Sequence, residues 1–449
     1  MKILILMVIQ GWYIERITYN GAENYGPSLA LHQQNVYIIY PEGYFPGYGT
    51  LHLRIGNIGN WVDDTVLYSC SYDYPWHAVI RMDTNNKLHI IFSRAVTHGL
   101  WYATNVSGSW EVYPLPVGSG GDWPQFILDR GNNIHLVYGL PFPGGIYYAN
   151  NVSGNWEIKW NCNFGFYPSI ALDSSGYVHI VFDGAYGGGG LYHVTNSSGQ
   201  WTMEQIIPPY CSRLAATDIK IDYMQNIHIT YRAQHESGSP IYYALGYANN
   251  IGGWNYTELD SMIRHDSQPS LVIDKFGNVH IVYTKSLASS YEMYYITNKN
   301  GLWEKSPVTS NSFFDDIYWI PSFEIDSMGY GHIVWNGYPN GWEEVFYAVS
   351  DSSLVKIEER FSYSFPFLNF LNSNIFYKNL SPSILSGKKF AFKISTSNER
   401  KIYLYDVTGK RILEISPTSN HILNLKSGVY FIGIKRNGKE IIQKFILFK

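Results

Sequence analysis

The sequence is poor in charge and in cysteine. Only 15% of its 449 residues are Asp, Glu, Lys or Arg, the net charge is -4, and no Lys/Arg stripe gathers what there is; the electrostatic footprint of a nucleic-acid binder is missing. Three cysteines, Cys70, Cys162 and Cys211, have none of the C-x-x-C spacing of a metal site and permit at most one internal disulfide. No apolar run approaches the ~20 residues that cross a bilayer. No stretch of three turns carries the 3.6-residue period of an amphipathic helix. The opening "MKILILMVIQ" has the anatomy of a short or truncated secretory signal, and its alternative reading is a leading strand.

Aromatics and glycine fill the space left by charge. Thirty-nine Tyr, 14 Trp, 22 Phe and 41 Gly describe strands and tight turns rather than helices. The length exceeds what one ordinary core supports, so a large repeat domain with an appendage is expected.

The repeat is visible in "DSSGYVHIVF", residues 173–182. Asp83 and His89, Asp129 and His135, Asp173 and His179, Asp222 and His228, Asp274 and His280, and Asp326 and His332 all stand six residues apart. A seventh, degenerate copy has Tyr37 in place of the histidine. The clearest copy divides into four short strands, "PSIALD", "YVHIVF", "LYHVTN" and "WTMEQII", separated by turn-forming or Gly-rich segments. Each fourth strand is marked by a tryptophan: Trp61, Trp110, Trp156, Trp201, Trp254 and Trp303, at spacings of 45 to 53 residues. Four strands at this period are the signature of a β-propeller.

The last repeat, from Pro321 through "VFYAVS", lacks a fourth strand, and "QGWYIERIT" around Trp12 supplies an orphan one. The N-terminal strand is therefore expected to close the ring, leaving no open edge. Seven histidine-type positions and seven tryptophans agree on an all-β, seven-bladed propeller.

The histidines occupy equivalent places in successive blades, so they cannot converge on a metal, which needs three or four ligands at one point. They read as buried hydrogen-bond stations, with the Asp six positions earlier or a backbone carbonyl as partner. The Asn-x-Ser/Thr triplets at Asn105, Asn151, Asn196 and Asn255 read as turn chemistry rather than glycan acceptors.

The turns "NVSGSW", "NVSGNW", "NSSGQW" and "NKNGLW" stand where sialidase-superfamily propellers carry their Asp-box, S-x-D-x-G-x-T-W. Residues 12–350 resemble those repeats, although the box Asp and the Thr before Trp are absent. The resemblance implies that ligands meet the face bearing the irregular loops, opposite the short turns. Those loops are aromatic and carry Tyr44, Asp73, Trp76, Arg94, Asp122, Trp123, Tyr167, Asp183, Tyr186, Arg232, Asp316 and Trp319, the candidate ligand-binding residues. Aromatic faces beside carboxylates and amides suit sugar rings; filling of space between splayed blades is the plainer use. A sialidase would also need an arginine clamp, for which Arg94, Arg213, Arg232 and Arg264 are available, and acids from among Asp73, Asp122, Asp183, Asp315, Asp316 and Glu42. No set has a matching spacing, so no catalytic residue, metal or cofactor is assigned. Cys162 and Cys211 fall in neighbouring loops, and a disulfide between them suits an exported protein.

Beyond Ser353 the repeat ends. Residues 353–366 read as a linker and 367–449 as a small β-sandwich. "KIYLYDVTGKRILEI" and "ILNLKSGVYFIGIKRNGKEIIQKFILFK" resemble the C-terminal sorting domain of the bacterial type IX secretion system, with "NSNIF" in place of that family's Pro-Asn-Pro-Phe-like opening. This implies passage through the periplasm to the outer surface, with the secretion machinery as a partner. The chain is thus expected to be a secreted or surface binding propeller, 11–352, for a glycan or surface polymer. The alternatives are a sialidase-like or other glycoside hydrolase, and an envelope or protein-interaction scaffold.

Overall fold

The computed structural model describes residues 7–9, 11–43, 47–62, 65–118, 120–140, 144–184, 189–208, 213–235, 241–261, 263–264, 268–287, 290–310, 321–339 and 341–355, together with strands between 380 and 447. All of its described elements are strands. The chain divides into two compact units, Met1–Glu358 and Glu359–Lys449.

The first unit is a ring of seven antiparallel sheets. Blades two to six are continuous in sequence, running from Pro75–Met82 (blade two), Asp122–Leu128 (three), Phe166–Leu172 (four), Arg213–Ile221 (five) and Ser270–Ile273 (six) outward through three further strands each. Blade one is built on Ser28–His32, Asn35–Gly43, Tyr48–Asn57 and Thr65–Ser71. Blade seven takes Ser322–Ile325, Gly331–Gly337 and Glu344–Ser350 from the end of the unit and Trp12–Arg16 from its beginning. The closing strand pairs Trp12 with Ser350 and Arg16 with Phe346, as the count of tryptophans requires. Met7–Ile9 adds a fifth strand against it. The innermost strands of blades one and seven touch, so the ring is complete.

The core is seven seams rather than one centre. Each pair of neighbouring blades encloses its own apolar cluster, from Ile39, Leu53, Ile90 and Phe92 between blades one and two to Ile17, Ile38, Val345 and Tyr347 between seven and one. Second strands such as "HIVF" are apolar on both faces for this reason: Ile180 and Phe182 face blade three while Val181 faces blade five.

The Asp–His pairs fasten the inner hairpins. Asp274 Oδ1 accepts from the backbone N–H of Phe276 and Asn278 at 2.8 and 2.9 Å, and Oδ2 faces His280 Nε2 at 3.3 Å. The same pattern recurs from Asp83 to Asp326, with imidazole-to-carboxylate distances of 3.2 to 3.7 Å. A carboxylate only accepts, so where that bond forms, at His135, His228, His280 and His332, Nε2 carries the hydrogen and Nδ1 accepts. In five blades Nδ1 meets a tyrosine hydroxyl: Tyr102, Tyr148, Tyr247, Tyr295 or Tyr347, at 2.5 to 2.8 Å. The following blade's tryptophan packs on that ring, as Trp201 does on Tyr148, Trp303 on Tyr247, Trp12 on Tyr295 and Trp61 on Tyr347, with centroids 5.1 to 5.9 Å apart. Histidine, tyrosine and tryptophan therefore set the register between blades.

Three of the asparagines read as turn residues do more: Asn105, Asn151 and Asn196 accept from the N–H of the residue before the histidine, at 2.7 to 2.8 Å. Asn255 does not. In its blade Asn250 takes the post at 2.8 Å, and Asn255 donates to Ile251 and Gly253 carbonyls.

The second unit holds two antiparallel sheets, one of Leu380–Leu385, Lys389–Ile394 and His421–Leu423, the other of Arg411–Ile415, Lys401–Asp406, Gly428–Arg436 and Lys439–Leu447.

Candidate functional site

On the loop face, the innermost strands of blades two to five share one irregularity. The ladder slips by a residue at 77–78, 123–124, 167–168 and 216–217, which is a β-bulge, a device that re-aims a side chain. His77, Trp123 and Tyr167 begin the first three bulges with φ of 36°, 46° and 49°. Bulky residues at positive φ are rare and cost on the order of 1–3 kcal/mol each, and such strain gathers at functional sites. All three line the mouth of the central channel, to which every blade contributes.

Their rings touch. His77 and Trp123 have centroids 5.8 Å apart, and Trp123 and Tyr167 5.0 Å. Trp76 extends the row, 5.2 Å from His77, and Tyr25 of the chain entering blade one stacks on Trp76 at 5.4 Å and 9°. Tyr74 completes it at 5.5 Å from Tyr25. A continuous aromatic strip thus crosses blades one to four, with Tyr25, Trp76, Trp123 and Tyr167 partly exposed.

Polar groups brace this strip. Asp122 Oδ1 accepts from His77 Nδ1 at 2.9 Å, Ser93 Oγ at 2.8 Å and the Trp123 N–H at 2.8 Å. Burial pushes the Asp122 carboxyl up, but these donors outweigh it and hold it below the usual carboxylate range. The Trp76 indole donates to His77 Nε2, so the imidazole is engaged on both nitrogens. Asp73 binds Arg94 Nε at 2.8 Å and accepts from the Val96 N–H at 2.9 Å and Thr97 Oγ1 at 2.7 Å. That loop presents His98, 40% exposed in its side chain and 3.8 Å from Asp122 Oδ2. Arg94, His98 and the second Asp122 oxygen thus stand at the edge of the strip.

Six of the twelve residues expected from sequence, Asp73, Trp76, Arg94, Asp122, Trp123 and Tyr167, lie in or beside this arrangement. Tyr44, Tyr186, Asp316 and Trp319 lie outside the described residues, as does Asp315. Asp183 is fully buried, paired across the ladder with Phe166. Arg232 stands in blade five, 8% exposed, its guanidinium 5.6 Å from the Tyr243 ring centroid. Arg94, Arg232 and Arg264 belong to blades two, five and six, and Arg264 sits 4.2 Å over Tyr291; nothing is described of the Arg213 side chain. Tyr25, Tyr74, His77, Ser93 and His98 were not anticipated. His77 had a signal: it precedes its repeat's Asp by six residues, as Trp123 and Tyr167 do. Cys162 is a free thiol 3.2 Å from the Phe164 carbonyl; Cys211, the other end of the expected bridge, lies outside the described residues. Among the described residues no three His, Cys, Asp or Glu side chains converge as a metal site requires, and no helix is long and apolar enough to cross a membrane.

Residues 388–448 match the secretion system C-terminal sorting domain. No curated protein matches the chain. Among solved structures, a polysaccharide lyase described as a PL25 ulvan lyase of a new family superposes with a TM-score of 0.50 at 14% identity, covering 75% of this chain and 96% of its own. A protein of unknown function from Dyadobacter fermentans DSM 18053 gives 0.44 at 9% identity, covering 62% and 94%. The Aleuria aurantia lectin gives 0.42 at 12% identity, covering 66% and 99%. At these identities the likeness concerns the fold. The sorting domain marks a protein that is secreted or displayed at the cell surface by the type IX machinery.

Proposed function

We propose that this exported propeller is a glycan-binding protein and that its site is the aromatic strip on the loop face of blades one to four. One observation carries the reading: His77, Trp123 and Tyr167 take the same strained, left-handed backbone at equivalent places in consecutive blades. A ring needed only as filler could sit in relaxed backbone inside a seam. Ring faces in a row meet the apolar C–H patches of sugars, while Arg94, His98 and Asp122 at the edge meet hydroxyls. The ulvan lyase of similar fold acts, by its description, on a polysaccharide; at 14% identity that lends fold and no residue roles, and the weight rests on the strip. The test is a glycan array probed with the full chain and with Trp76→Ala. Signals that disappear in the variant support the site, and signals unchanged in it would place the sugar elsewhere.

A further inference from the structure

We infer that the ligand is a linear polysaccharide held by the interior of its chain, laid across blades one to four along the strip, rather than a single sugar or a chain end. The inference rests on the glycan-binding reading above and deepens it. A monosaccharide covers one aromatic ring, and one blade could supply that ring. Here one aromatic from each of three successive blades is turned by the same bulge into the same row, and every neighbouring pair of rings is in contact, with centroids 5.0 to 5.8 Å apart from Tyr25 to Tyr167.

The row also ends in a definite place. Blade five keeps the bulge at 216–217, but its first residue is Ala216, so the backbone device persists where the ring has been dropped. The repeat thus supplies the bulge and the sequence decides which blades stack. Successive rings are inclined to each other by 9°, 64°, 42° and 53° along the row. A chain whose sugar rings can rotate about their glycosidic bonds follows such a surface, and a flat crystalline sheet of chains does not.

Cello-, xylo-, chito- and mannuronate oligosaccharides of one to six units, titrated calorimetrically into the full chain, test this. Trp123→Asn and Tyr167→Asn are the matching variants, since asparagine tolerates left-handed backbone and removes the ring without adding strain. For a series that binds, affinity is expected to rise at least tenfold between one and four units and then level off. Each variant should level off at a shorter length and lose more affinity for four units than for one. Equal affinity for monomer and hexamer, or variants that weaken all lengths alike, would overturn the polymer inference and leave the glycan reading standing. Absence of binding by every series, with an empty glycan array, would sink both. Should Trp123→Asn fail to fold, Tyr167→Asn at the end of the row answers the same question.

Discussion

His179 Nδ1 lies 3.0 Å from His193 Nε2, where five other blades set a tyrosine hydroxyl against the histidine. The substitution extends into a relay. His193 Nδ1 meets Glu204 Oε1 at 3.1 Å, and Trp254 of blade five donates to the same oxygen at 3.1 Å. Blade four is therefore tied to its neighbour through two imidazoles.

This relay makes the propeller sensitive to acid. Burial and the neighbouring imidazole lower His179 to about 4, against the attraction of Asp173, and burial lowers His193 despite Glu204. An unfolded histidine titrates near 6.5, so between about pH 6.5 and 4 the unfolded chain binds more protons than the folded one. Stability is fully present above that window and falls as pH drops through it. His193→Tyr restores the hydroxyl found in the other blades and removes the imidazole repulsion. Its melting temperature should therefore fall less between pH 7.5 and 5 than that of the unsubstituted protein. Parallel curves would show that the relay does not govern the loss.

The hairpin stations should differ in worth according to burial. The Asp274 side chain is 1% exposed and that of Asp129 24%, yet both brace the same turn. Removing the carboxylate strands donors away from water in the first case and beside it in the second. Asp274→Ala should cost roughly 2–4 kcal/mol in urea unfolding, and Asp129→Ala clearly less. An equal or reversed order would mean that the turn, and not the buried imidazole, carries the stabilisation.

The parts legible in the sequence are those that repeat. Asp, His and Trp recur because every seam solves the same packing problem, and the missing fourth strand of the last repeat pointed directly to Trp12. The strip was legible only by halves. Trp76, Trp123 and Tyr167 stood out as aromatics in loops, but the backbone that Trp123 and Tyr167 share with His77 did not, because His, Trp and Tyr at one repeat position look unrelated. Tyr25 reaches the strip from another blade, and Asp183 looked like a loop acid until the register placed it opposite Phe166. Such contacts depend on ring closure, which no local pattern encodes.

Closure itself can be measured. Trp12 is 2% exposed and packs on Tyr295 across the seam between blades six and seven. Trp12→Ala should cost roughly 3–5 kcal/mol and open the ring to proteolysis at its last blade. Leu302→Ala, at a residue 75% exposed, should stay within about 0.5 kcal/mol. A small effect at Trp12 would mean that the backbone ladder alone holds the N-terminal strand.

The strip can be disturbed without touching a ring. Gly139 ends the second strand of blade three, and a methyl there would stand 3.3 Å from Trp123 Cε3 and 3.8 Å from Pro168 Cδ. The first distance is tighter than ordinary contact, so the indole must move while the proline need not. Trp123 is poised at a φ of 46° and has little freedom to yield except by tilting its plane out of the row. Gly139→Ala is therefore expected to weaken oligosaccharide binding several-fold while lowering the melting temperature by no more than a few degrees, about what ~1 kcal/mol produces in a chain of this size. Unchanged affinity with unchanged stability would show that the indole plane is not what the ligand reads. A collapse in stability would instead make Gly139 a packing residue of the seam between blades three and four.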